Sequence, residues 1–379
     1  MKITLSKKLK TKPEAKTLGF GKYFTDHMFT MTYNPEKGWH NAEIVPYNTF
    51  KLQPETAVLH YGQGIFEGLK AFKNASHPAA PHPVSFAATP LKERGIAAPL
   101  ERGMSEITLF RPMDNFARMN RSAVRMCIPE FDVNAAFDGL KKLIEIEKDW
   151  IPSEPGTSLY IRPTIIATDE VLGVHPSKNY LFYIILSPVG SYYANGLQPV
   201  NIYAEDFYAR VALGGTGEAK CMGNYAASLF AQQKAQKLGF TQVLWLDSAE
   251  KKYVEEVGAM NIFFVFGNEV VTPALNGSIL PGITRDSVIK ILNKKGIKIT
   301  QRKISIDEVV KACGEGKLTE MFGTGTAAVV SPVGMLRYKE KDYIINNKVM
   351  GDITKMLYDT VTGIQTQKIK DEFGFVVRL

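Results

Sequence analysis

From Asn224 to Ser331 the chain alternates helical and extended patterns, each closed by a glycine or a tight turn, and that alternation confines this half to a sheet layered with helices. A helix opening near Asn224 ends at Gly239, where glycine tolerates the left-handed conformation of a helix C-cap, and an extended run over 241–246 follows. Residues 261–266 and 269–272 are joined by Gly267-Asn268, a two-residue turn of the kind a hairpin demands. Thr284 is expected to cap a helix that runs to Lys295 before Gly296, and Ser305 with Glu308 reads as a capping box for the next helix. Runs 318–322 and 327–331 are expected strands that complete the half.

The first half mixes the same ingredients less regularly. Phe116, Met119, Ala123 and Cys127 recur at helical spacing behind Asp114. Ala136, Leu140, Leu143, Ile144 and Glu147 form a second helix that Ile151-Pro152 ends. Residues 158–167 and 180–187 are rich in β-branched and aromatic side chains and read as strands, so two helices are expected to pack on a sheet. Residues 75–106 are dense in Ala and Pro without periodicity, which points to an exposed insertion. At roughly 100–200 residues per domain, 379 residues favour two units. The expected division is a smaller N-terminal α/β domain over 1–187, a Gly-containing connection over 188–205, and a larger C-terminal domain over 206–379, in an α/β (α+β) fold class.

Several function classes are excluded at this level. The longest apolar runs, 180–186 and 262–266, fall far short of the ~20 residues a membrane helix needs. The net charge of +8 could suggest nucleic acid, but six lysines against one acid fall within residues 1–16, and the rest of the chain is nearly balanced. Three scattered cysteines (Cys127, Cys221, Cys313) offer no disulfide framework and no zinc knuckle, so a reducing cytoplasm and no metal are expected.

Two glycine clusters invite a nucleotide reading and resist it. In Gly214-Gly215-Thr216-Gly217-Glu218-Ala219-Lys220-Cys221 the lysine lacks the preceding Gly and following Ser or Thr of a phosphate-binding loop. Gly323-Thr324-Gly325-Thr326-Ala327-Ala328 fits GxGxxA but runs into a strand rather than a helix. A different chemistry suits the first cluster. A pyridoxal cofactor asks for an amine, a carboxylate at the pyridine nitrogen, a hydroxyl near the phenolate oxygen and anion-binding groups for the phosphate. Lys220, Glu256, Tyr225 and the helix start at Gly282-Ile283-Thr284 are candidates for these tasks in turn.

The runs HYGQGIFEGLKAF (60–72), LYIRP (159–163), GGTGEAKCMGNYAASL (214–229), QVLWLD (242–247), EVGAMNIF (256–263), LPGITRDS (280–287) and FGTGTAAVVSPV (322–333) resemble, in order, the branched-chain amino acid aminotransferases. These are pyridoxal-phosphate enzymes of fold type IV, two-domain proteins whose active site is closed by a partner in a homodimer. The resemblance extends from Phe20 to about residue 365. It implies transfer of the amino group of leucine, isoleucine or valine to 2-oxoglutarate. A D-amino-acid aminotransferase or aminodeoxychorismate lyase, which share the lysine and glutamate logic, is the alternative in the same fold.

The resemblance also implies roles. Lys220 matches the Schiff-base lysine, Glu256 the partner of the pyridine nitrogen, and Tyr225 the phenol that bonds the cofactor's ring oxygen. Arg118 matches the phosphate-binding arginine, joined by Ile283, Thr284 and Thr326. Phe20, Tyr61, Phe66, Tyr160, Arg162 and Tyr192 match the substrate pocket, and Ala327 with Thr326 the backbone that receives the substrate carboxylate. Three departures stand beside these matches: the 75–106 segment is longer than usual, Ala328 and Ser331 occupy positions where some animal members carry a CxxC pair, and Glu255 next to Glu256 leaves the carboxylate assignment dependent on anchoring at Glu-Val-Gly.

Overall fold

The structure, a computed structural model, describes residues 1–74, 107–190 and 197–379. The expected insertion at 75–106 and the candidate Tyr192 lie outside the described residues.

Among the described residues, two nine-stranded sheets carry the fold. In the first the order is Lys2–Ile3, Gly38–Pro46, His27–Asn34, Tyr180–Val189, Ser158–Ala167, Leu69–Lys73, Ile107–Phe110 and Val376–Arg378, with Gly64–Phe66 also paired to Ser158–Ala167. Helices Pro112–Arg125 and Val133–Ile146 pack on one face, where Phe116, Leu140 and Leu143 meet Phe29 and Phe182 in a shared core. Alternation along Ser158–Ala167 sorts its side chains: Leu159, Ile161 and Ile165 have no exposed surface, while Tyr160 and Arg162 occupy the opposite face. Lys70 stands directly across from Tyr160 in the antiparallel neighbour and therefore shares that face.

The second sheet runs Val254–Val257, Gln242–Leu246, Val200–Glu205, Val329–Tyr338, Leu318–Gly325, Met260–Phe266, Glu269–Thr272 and Lys298–Gln301, with Lys341–Ile344 on Val329–Tyr338. Val200–Glu205, which the sequence placed in the connection, is a strand of this sheet and parallel to both neighbours. Helices Met222–Lys237, Ile283–Lys294, Ile306–Gly314 and Asp352–Gln365 complete the layers.

Local chemistry explains where the boundaries moved. The N-cap of Ile283–Lys294 is Gly282 and not Thr284, so the start carries no side-chain signal. Strand 318–322 extends to Gly325, and the expected 327–331 strand begins only at Val329, because Thr326–Ala328 forms a turn between the two. Ser305 Oγ accepts from Glu308 N–H at 3.1 Å as a cap should, but the Glu308 carboxylate pairs with Arg302 instead of reaching back.

The lysine-rich start is anchored on a buried polar cluster. Ser6 N–H donates to His27 Nε2 at 2.8 Å, which leaves the imidazole proton on Nδ1 facing Glu147. Asp26 accepts from Lys10 N–H and from Trp150 Nε1–H, both at 2.8 Å. His27, Asp26 and Glu147 are all buried, so leaving one of their polar atoms unmatched would cost about 1–3 kcal/mol.

Candidate active site

Helix Pro112–Arg125 carries two stripes. Phe116, Met119 and Ala123 face the first core, and beside them Asn115, Arg118 and Ser122 form a buried polar stripe at helical spacing. Arg121 and Arg125 are exposed, which separates Arg118 from the residues it resembles in sequence. Its guanidinium donates to both Glu67 oxygens at 2.7 and 2.8 Å and to Pro281 O at 3.2 Å. Part of its donor set is left over, one residue before the helix start at Gly282. The first-turn N–H groups of that helix have no carbonyl partners within it, and Ile283 and Thr284 are buried there. The unused N–H donors of Arg118, whose charge Glu67 balances, and this helix start thus form one donor-rich corner suited to a phosphate.

One turn along the stripe, Ser122 Oγ accepts from Lys220 N–H at 2.9 Å. Lys220 O in turn accepts from Phe66 N–H at 3.1 Å, so both backbone groups of the lysine are tied to the first sheet and its helix layer. The glycine cluster before it is a tight loop held by Asn224, whose Nδ2 donates to Thr216 O and Ala219 O at 2.7 and 3.0 Å. Gly217 passes so close to Ser278 that a Cβ would fall 2.1 Å from its carbonyl oxygen, which is why this loop needs glycine there. Lys220 closes the loop directly ahead of helix Met222–Lys237, and Tyr225 lies on the first turn of that helix, so Nζ donates to Tyr225 Oη at 2.9 Å.

The carboxylates at 255 and 256 separate by strand alternation. Glu256 accepts from Leu280 N–H at 2.8 Å and lies 3.1 Å from Arg210 Nε, a charge contact rather than a linear hydrogen bond. It lines a small hollow with Tyr225 and Asn224. Burial pushes its carboxyl pKa up, opposed by Arg210, by the Leu280 N–H and by the Lys220 charge. Glu255 instead accepts from Ser278 Oγ and lines a different hollow with Asp247 and Tyr253.

The cavity that Lys220 opens into, about 300 Å³, is lined by Phe20, Phe66, Tyr160, Arg162, Lys220, Tyr225, Thr326 and Ala327. Phe66 lies 4.7 Å from Tyr225 between ring centroids, and Phe20 meets Tyr160 edge-on at 4.9 Å. The Arg162 guanidinium sits 4.6 Å over the Phe66 ring, with Nη2 donating to Tyr160 Oη at 3.0 Å. Its buried Nε has no partner among the described residues. A Cβ on Gly68 would fall 2.1 Å from Tyr160 Oη, so glycine there makes room for the phenol.

The structure therefore brings Lys220, Tyr225, Phe20, Phe66, Tyr160, Arg162, Thr326 and Ala327 around one cavity, with Glu256 in the adjoining hollow and Arg118, Ile283 and Thr284 at the helix start beyond it. Tyr61 stands apart, ending helix Ala57–Tyr61 with 42% of its surface exposed and outside the cavity lining. Four participants escaped the sequence reading: Glu67, Lys70, Arg210 and Ser122. Glu67 and Lys70 lie within the FEGLKAF run, where an acid and a base amid residues otherwise packed in the core are the available signal. Arg210 and Ser122 have partners 46 and 98 residues away and no local signal.

The donor set fits pyridoxal phosphate: a primary amine beside a phenol, a buried carboxylate held near a cation, and an arginine at a helix start.

Residues 105–335 match the family described as amino-transferase class IV. The chain is 50% identical over its full length to a probable branched-chain-amino-acid aminotransferase of Staphylococcus epidermidis, covering 98% of that protein. It is 49% identical to branched-chain-amino-acid aminotransferase 2 of Bacillus subtilis, covering 97% of it. Among solved structures, the branched-chain amino acid aminotransferase of Escherichia coli superposes with a TM-score of 0.70 at 22% identity, over 93% of this chain and 98% of that one. A T.th. branched-chain amino acid aminotransferase with pyridoxamine 5′-phosphate superposes at 0.71 and 24% identity, over 92% and 97%.

Proposed function

The chain belongs to the class IV aminotransferase family, and on that footing we infer that it is a branched-chain amino acid aminotransferase. It moves the amino group of leucine, isoleucine or valine to 2-oxoglutarate, giving the branched 2-oxo acid and glutamate. The observation that carries the reading in this chain is the Lys220 amine held 2.9 Å from Tyr225 Oη at the wall of a cavity that also contains Arg162.

Pyridoxal 5′-phosphate, when bound, supplies an aldehyde that condenses with primary amines and a ring that accepts the electron pair left when Cα–H breaks. The residues that would hold it are Lys220 for the aldehyde, Tyr225 for the ring oxygen, Glu256 for the pyridine nitrogen, and Arg118 with Ile283, Thr284 and Thr326 for the phosphate. Glu256 serves as a carboxylate, and Arg210 and the Leu280 N–H favour that form against the pull of burial. Lys220 Nζ would take the proton from the substrate Cα and deliver it to the former aldehyde carbon, a net shift that leaves Cα ready to become the 2-oxo carbon, with Tyr225 Oη as the hydroxyl within reach of that amine. Phe20, Phe66 and Tyr160 give a branched side chain an apolar wall and exclude water. Thr326 and Ala327 offer backbone to the substrate carboxylate.

Purified protein is expected to be yellow, with a visible absorbance band that borohydride abolishes by fixing the cofactor to Lys220. Peptide mapping that finds the reduced group on another lysine, or on none, would end this reading.

The active unit in this reading is a homodimer. Tyr61, exposed here and outside its own cavity, fits a residue supplied to a second copy. Sedimentation of active protein at assay concentration should give twice the chain mass, and a fully active monomer would refute the assignment.

A further inference from the structure

Behind the Thr326–Ala328 turn, on the side away from Lys220, lies a second cavity of about 340 Å³. Ala327 and Ala328 line both cavities, whereas Lys70 lines only the second. From there Lys70 Nζ donates to Ala327 O at 2.8 Å. We propose that Lys70 is a positioning residue for substrate binding: its ammonium holds the Ala327 carbonyl from behind, fixing the turn in the conformation that presents its N–H groups to a substrate carboxylate. This rests on the active-site reading above and adds to it a residue that need not touch the substrate.

Three observations converge on this role. In a planar trans peptide the C=O and the following N–H point in opposite directions, so a carbonyl drawn towards Lys70 sends the Ala328 N–H the other way. The turn also needs holding. Val329, its exit residue, has φ of 62°, a left-handed conformation that a β-branched side chain adopts only when its surroundings impose it. Finally, no carboxylate pairs with Lys70 among the described residues. Burial pulls its pKa down to about 8, so the ammonium form still prevails at neutral pH and its charge is left for an anion across the turn. The register gives the reason for its place: Lys70 is the cross-strand partner of Tyr160, which puts it on the face of the first sheet that meets this turn.

The test compares two amines in the first half-reaction, followed at the cofactor's absorbance: leucine, and 3-methylbutylamine, which has the same side chain and no carboxylate. Lys70→Met is expected to raise the half-saturating leucine concentration about tenfold, with the limiting rate changed by less than about threefold. The same variant should leave 3-methylbutylamine within about twofold of wild type, and Lys70→Arg, which keeps charge and donors, should restore leucine. Should Lys70→Met not fold, Lys70→Gln carries the same comparison with the charge removed. Equal weakening of both amines, or of neither, would overturn the proposal. Wild-type protein without any cofactor band would instead overturn the active-site reading on which it stands.

Discussion

Lys220→Ala is expected to lower leucine turnover on the order of 10⁴-fold while the protein stays folded. A positioned acid or base contributes typically ~10²–10⁴ to rate, and this residue is assigned both the covalent hold on the cofactor and the movement of the Cα proton. Folding should survive because the backbone of Lys220, not its side chain, makes the structural bonds: N–H to Ser122 Oγ and C=O from Phe66 N–H. Among the described residues the side chain donates only to Tyr225 Oη. Lys220→Arg separates base from charge, since a guanidinium keeps the cation but does not give up its proton at any working pH. Both variants should therefore be equally impaired, and a small primary amine added to Lys220→Ala should recover part of the rate. Single-turnover kinetics with leucine would decide it: an arginine variant close to wild type would mean that Lys220 acts by charge and that the proton moves elsewhere.

What the sequence could and could not disclose follows from the range of the interactions. Helices Pro112–Arg125 and Val133–Ile146 and strand Ser158–Ala167 were legible because their apolar periodicity is the imprint of one core. The hairpin at Gly267-Asn268 was legible because two residues determine it. The start at Gly282 was not, since a cap without a side chain leaves no mark and Thr284 offered a misleading one. At the site, Lys220 and Tyr225 are five residues apart on a loop and the helix that follows it, so spacing alone links them. Arg118 is different. Its burial depends on Glu67, 51 residues earlier between two strands, and along its own helix it looks like Arg121 and Arg125. The choice between Glu255 and Glu256 turned on which face of Val254–Val257 meets Leu280, and that is decided by the sheet, not by the local sequence.

Arg162→Gln tests how one cavity serves two side chains, one apolar and one charged. Glutamate must bring a carboxylate to a space walled by Phe20, Phe66 and Tyr160, and a carboxylate buried there unpaired is costly. Arg162 is placed to meet it: the guanidinium stacks over Phe66 at 4.6 Å, Tyr160 Oη takes one donor at 3.0 Å, and the buried Nε has no partner among the described residues. A hydrogen bond to a charged group contributes roughly 1.5–3 kcal/mol, and each ~1.4 kcal/mol is tenfold, so the substitution should cost glutamate on the order of 10- to 100-fold in kcat/KM. Leucine should lose less than about threefold, because its side chain needs only the apolar wall and glutamine fills part of the arginine's volume. The aromatic stack argues the same way, since Phe66 is also braced by Tyr225 and does not depend on the guanidinium alone. Half-reactions measured separately for leucine and glutamate would settle the division of labour. Equal losses for the two would make Arg162 a brace for Tyr160 and Phe66 rather than the group that distinguishes the acidic substrate from the branched one.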